Sequence, residues 1–106
     1  MPKYLIQGNY VGEGIKGLLK EGGSSRRAAI EKLAASMGGS IESIYYAFGD
    51  TDVFVIADMP DNASMTAVAL VAGASGAVKI KTTVLMTPEE VDEAAKKTPD
   101  YRPPGQ

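Results

Sequence analysis

Two alternating apolar runs, Ser40 to Phe48 and Val53 to Met59, are separated by only four residues, Gly49-Asp50-Thr51-Asp52. Glycine tolerates positive φ and aspartate bonds its own backbone, so this break reads as a tight hairpin turn. The two runs are then antiparallel neighbours. Pro60 ends the second run, and Asp61 offers an N-cap oxygen to a helix over 62–74.

The flanking sequence supplies the partners of this hairpin. Lys3 to Tyr10 reads as a strand, with Tyr4, Ile6 and Gly8 pointing one way and Leu5, Gln7 and Asn9 the other. Gly12 to Glu21 reads as a short helical turn with Ile15, Leu18 and Leu19 on one side. After Gly22-Gly23, Ser24 or Ser25 is expected to cap a new helix. Within it Ile30, Leu33, Ala34 and Met37 fall at i, i+3, i+4 and i+7, and Gly38-Gly39 supplies the stop. The helix over 62–74 is apolar nearly all round, which predicts burial on more than one side. Ala77 to Met86 is a fourth strand. Thr87-Pro88-Glu89-Glu90 opens a last helix with a capping box.

The order β-α-β-β-α-β is the α+β ferredoxin-like unit, with an antiparallel four-stranded sheet, both main helices on one face and an added C-terminal helix. Residues 1–97 form the domain, and 98–106 read as a Pro/Gly-rich tail. The hairpin strands carry bulky groups on both sides. Ile44, Tyr46 and Phe48 are expected opposite Ile41 and Tyr45; Phe54 and Ile56 are expected opposite Val53 and Val55. A sheet apolar on both faces needs cover on both. With helices on one side only, a second subunit is the expected cover.

Composition excludes several chemistries. The 106 residues contain no cysteine and no histidine. Thiolate nucleophiles, disulfides, Cys–zinc sites, a Ser-His-Asp triad and a proximal haem histidine are thereby ruled out. A net charge of −2 argues against nucleic-acid or anionic-membrane partners. No apolar run is long enough to span a membrane, and the N-terminus lacks a signal-peptide core, so a cytoplasmic location is expected. Gly12 and Gly14 do not make a dinucleotide loop, and no phosphate loop or EF-hand pattern is present.

The candidate ligand contacts are few. Asp50 and Asp52 are explained by turn chemistry, so no metal and no cofactor are expected. Tyr45 and Tyr46 are adjacent in a strand and must face opposite sides of the sheet. Tyr10 and Asn9 end the first strand. Lys79 and Lys81 share one face of the last strand, opposite Val78, Ile80 and Val84. These six residues, Asn9, Tyr10, Tyr45, Tyr46, Lys79 and Lys81, are the candidate ligand-binding set. Arg26 and Arg27 are expected to face solvent.

Several segments together resemble the GYD domain family: Met1-Pro2-Lys3-Tyr4, Gly12-Glu13-Gly14-Ile15-Lys16, Leu33 to Gly39, the hairpin Tyr45 to Asp52, and Ala57 to Asp61. The resemblance covers roughly residues 1 to 95. It implies a dimeric α/β barrel, in which two ferredoxin-like sheets pack face to face and a cleft forms between each sheet and its helices or partner. At the naming motif, typically Gly-x-Tyr-Asp, this sequence keeps Gly49 and Asp52 and has Thr51 in place of the tyrosine. The family implies no one activity. The expected function is a homodimeric domain binding a small apolar or aromatic ligand. The alternative is a cofactor-independent isomerase or monooxygenase on a small aromatic compound, with a tyrosine or a buried lysine as base.

Overall fold

The computed structural model describes all residues, 1–106. The elements run β1 (Lys3–Tyr10), α1 (Glu13–Glu21), α2 (Gly23–Ser36), β2 (Ser40–Tyr46), β3 (Val53–Asp58), α3 (Asn62–Ala74), β4 (Val78–Leu85) and α4 (Pro88–Ala95). The four strands form one antiparallel sheet in the order β2-β3-β1-β4. This is the ferredoxin-like arrangement expected from the sequence. α2 packs over β2 and α3 over β4 on the same side.

β1 is bonded along both edges, pairing Tyr4 with Ala57 and Val84, and Gly8 with Val53 and Ile80. Its period-two alternation therefore sets both faces of the sheet. Tyr4, Ile6, Gly8 and Tyr10 look toward the helices. Lys3, Leu5, Gln7 and Asn9 look away from them. The buried core gathers under α2 and α3: Tyr4, Ala34, Ala57, Met59 and Met65, with Ile6, Ile41, Val68 and Ala69 packed against it. The Tyr4 hydroxyl donates to the Asn62 side chain at the start of α3, which satisfies the one polar atom Tyr4 carries into the core.

The ends of α2 and α3 show which sequence signals acted. The Asp61 carboxylate accepts from the Ser64 N–H at 2.8 Å, the expected N-cap. Those hydrogen bonds hold the Asp61 carboxyl below its ordinary value. α2 closes with both bonds of a Schellman motif, Gly39 N–H to Ala34 O at 2.9 Å and Gly38 N–H to Ala35 O at 3.1 Å, with Gly38 at φ 79°. The capping box of α4 is complete: Thr87 Oγ1 accepts from Glu90 N–H and Glu90 Oε1 from Thr87 N–H, each at 3.1 Å.

Three expectations are corrected. α2 begins at Gly23, so neither Ser24 nor Ser25 is its cap; Arg26 N–H already bonds Gly22 O at 3.3 Å. The cap is Gly22, two residues before Ser24, and the first helical residue, Gly23, lies against the Tyr46 ring and accepts the Tyr46 hydroxyl at its carbonyl oxygen at 3.1 Å. Ile41 does not oppose Ile44 and Tyr46. A bulge between Ile41 and Ser43 restores all three to the helix side, where they pair with Ala57, Val55 and Val53. α3 is not buried all round: Met65 is buried, whereas Leu70 and Val71 on its outer side are exposed.

α4 and the following residues are exposed along their length. The radius of gyration is 16.9 Å, against about 13 Å for a compact chain of this size, and the molecule is elongated, 57 × 32 × 23 Å.

Gly39 is packed so tightly that a Cβ there would collide with Met59 Sδ and the Asp58 carbonyl oxygen. Gly39→Ala is expected to cost about 1–3 kcal/mol of stability in urea unfolding. Gly49→Ala, at a turn position open on all sides, is the matched control and is expected to stay within about 0.5 kcal/mol of the parent.

Candidate functional site

Between the sheet and its two helices lies a cavity of about 100 Å³. Its floor is the helix-facing row of β1 (Ile6, Gly8 and Tyr10), with Val53 and Val55 from β3 and Val78 and Ile80 from β4 beside it. α2 supplies Ile30, Leu33 and Ala34 as one wall, and α3 supplies Met65, Val68 and Ala72 as the other. Gly8 is buried between Val53 and Val78; a Cβ there would lie 3.0 Å from one valine methyl and 3.3 Å from the other. A larger residue at this position would intrude directly on the cavity floor.

The polar groups gather at one end. Arg26, in the first turn of α2, is the only charged residue in the lining. Tyr10 closes the end of β1 and Tyr46 the end of β2, and the two phenols lie close enough to influence each other. Burial, and then the Tyr10 phenol, hold the Tyr46 hydroxyl above its ordinary value, while Arg26 and Arg27 pull it down.

The other face of the sheet is open. Its rows carry Tyr45, Phe54, Gln7 and Lys81, then Ser43, Ile56, Leu5 and Thr83. At one end Lys3 bridges Glu42 at 2.7 Å and Asp58 at 2.9 Å. Both carboxylates hold the Lys3 ammonium above its ordinary pKa.

The sheet thus divides the six candidate residues. Tyr10 lines the cavity, and Tyr46 stands beside Tyr10 but outside the lining, 39% exposed. Asn9, Tyr45, Lys79 and Lys81 stand on the open face and are exposed. Asn9 Oδ1 accepts from the Asp52 N–H at 3.0 Å, and Asp52 Oδ2 accepts from the Tyr10 N–H at 3.0 Å. Asp52 is therefore a clamp fastening the hairpin to the end of β1, a larger role than the turn chemistry expected of it. No group of three or more acidic residues converges on one point.

Arg26 is the cavity residue that the sequence reading assigned to solvent; only Arg27 behaves so. The missed signal is helical spacing. Arg26 lies four residues before Ile30 and seven before Leu33, on the inward stripe.

A small α+β domain with a ferredoxin-like sheet and a cavity under its helices is the class these features define. The GYD domain matches residues 4–95, and the chain belongs to the GYD domain family. Among solved structures it is similar to the crystal structure of NE2512, a protein of unknown function from Nitrosomonas europaea. The identity is 19% and the TM-score 0.43, over 94% of this chain and 96% of that one. No curated protein matches.

The Tyr46 phenol generates a pH prediction. Its folded pKa is raised, so its contribution to stability is full below the unfolded value near 10.0 and is lost as pH rises through the folded value. Denaturant midpoints of the parent protein are expected to fall with pH above that point. Tyr46→Phe, lacking the ionisable hydroxyl, is expected to fall less steeply.

Proposed function

We propose that this protein is a homodimeric binding domain that holds a small, largely apolar molecule in the cavity between its sheet and helices. The observation that carries the reading is the lining itself: 15 of its 17 residues are hydrophobic, with polar groups confined to one end. A concave apolar site with a few convergent polar groups is the common form of a small-molecule site.

The second half of the proposal is the dimer. Only 8 of the 106 residues are buried in the single chain, a thin core for this size. Leu5, Phe54 and Ile56 form an apolar strip across the open face, and a second copy of the same sheet would cover it. Charge favours the same occupant. Lys79 and Lys81 stand exposed on that face, while the projecting α4 carries Glu89, Glu90, Asp92 and Glu93. An acidic arm reaching the partner's lysine pair would be complementary.

Turnover is the weaker reading. Of the two kinds of base that reading allows, only a tyrosine, Tyr10, lines the cavity; the lysines are exposed and lie on the opposite face. Low lysine pKa values need burial.

Native mass spectrometry of protein purified from its own host tests both halves. The expected result is a dimer that sheds a small molecule under harsher activation. A clean monomer would contradict the dimer, and a dimer free of adduct would shift the reading from a retained ligand to a transient one. Phe54→Lys, which places a charge at the centre of the open face, is expected to shift the sedimentation profile from dimer to monomer without unfolding the domain.

A further inference from the structure

Arg26 is the lone cation in an apolar lining, and its bonding is incomplete. Its Nε is buried and has no hydrogen-bond partner. Glu21 Oε2 stands 3.9 Å away, near enough to attract but too far to accept a hydrogen bond, and the Glu21 side chain is 49% exposed. A guanidinium cannot shed its charge, and its donors lie in a fixed planar fork. A buried donor of this kind left unpaired is costly. Apart from the Tyr10 hydroxyl, the other side chains of the lining are aliphatic or methionine and provide no acceptor.

The neighbouring phenols sharpen the picture. The Tyr46 hydroxyl is committed as a donor to Gly23 O. The Tyr10 hydroxyl lies beside it, on the cavity side. One guanidinium and one phenol thus stand at the end of an apolar chamber.

We propose that the cavity takes a small monocarboxylate, its carboxylate accepting hydrogen bonds from Arg26 and the Tyr10 hydroxyl, and its apolar group lying among Val53, Val55, Val78 and Ile80. This rests on the reading of the cavity as a ligand site and adds the chemical class of its occupant. A single inward cation matches a single negative charge, and the guanidinium fork fits the planar carboxylate. The volume bounds the rest of the molecule. At about 100 Å³ the cavity is smaller than the roughly 150 Å³ apolar cavity that admits benzene, so the apolar group is a short branched chain rather than a ring.

Methyl NMR of the full-length protein, titrated with 2-methylpropanoate and 3-methylbutanoate and with their neutral amides, tests the inference. The parent is expected to bind the acids on the order of tenfold or more tighter than the amides. Arg26→Gln is expected to erase that preference by weakening the acids far more than the amides. Equal affinity for acid and amide in the parent, or equal weakening of both by Arg26→Gln, would overturn the carboxylate assignment and leave the cavity reading standing; a water molecule would then serve the Arg26 Nε. If neither acid nor amide shifts the methyls of Val53, Val55 and Ile80, both readings fail. Should Arg26→Gln not fold, Arg26→Lys and Tyr10→Phe give the same comparison. Each is expected to weaken acid binding selectively, and an effect on acid and amide alike overturns the assignment.

Discussion

Everything in this domain is referred to the central strand β1. It is hydrogen-bonded on both edges, so its alternation cannot slip without moving β3 and β4 with it. Tyr4, Ile6, Gly8 and Tyr10 are thereby fixed toward the helices, and Leu5, Gln7 and Asn9 toward the open face. The same strand is at once the floor of the cavity and the middle of the exposed strip. Asp52 locks its far end by accepting from Tyr10 N–H while donating its own N–H to Gly8 O and Asn9 Oδ1. Tyr10 is therefore held by its backbone at the mouth of the cavity.

Much of this was legible from residue pattern. Strands are called by a period of two, and helix ends by side chains with one favoured use. The Asp61 cap, the Gly38-Gly39 stop and the Thr87–Glu90 box all stand where the sequence indicates. The departures in β2 and α2 involve non-local partners. The bulge after Ile41 reverses the facing of everything before it, and only pairing with β3 reveals it. The early start of α2 brings Gly23 against the Tyr46 ring, 23 residues away. The apolar outer side of α3 reads as buried, yet Leu70 and Val71 have no cover within the chain.

The candidate site was legible only in halves. Adjacent tyrosines in a strand must part company, and they do: Tyr46 faces the helices, and Tyr45, 72% exposed, faces outward. Which of them met Tyr10 required the register. The charge of Arg26 points it outward, whereas its helical spacing to Ile30 and Leu33 points it inward. A long side chain can bury its stem and one nitrogen while still reaching water, and Arg26, 34% exposed with a buried Nε, does both. The two faces of the sheet consequently carry different chemistry. One is an apolar chamber with a cationic end, and the other is an apolar strip bordered by Lys79, Lys81 and the Lys3–Glu42–Asp58 bridge.

The account turns on the chamber under α2 and α3 being open to an apolar guest. Methyl NMR of the protein under xenon pressure tests this directly, because xenon enters dry apolar cavities irrespective of charge. The account predicts shifts confined to methyls of the lining, with Val53, Val55, Met65 and Ile80 responding and the exposed Leu19 and Val91 unmoved. Uniform small shifts across lining and surface methyls alike would mean that the helices close onto the sheet in solution, and the cavity would no longer support a ligand site.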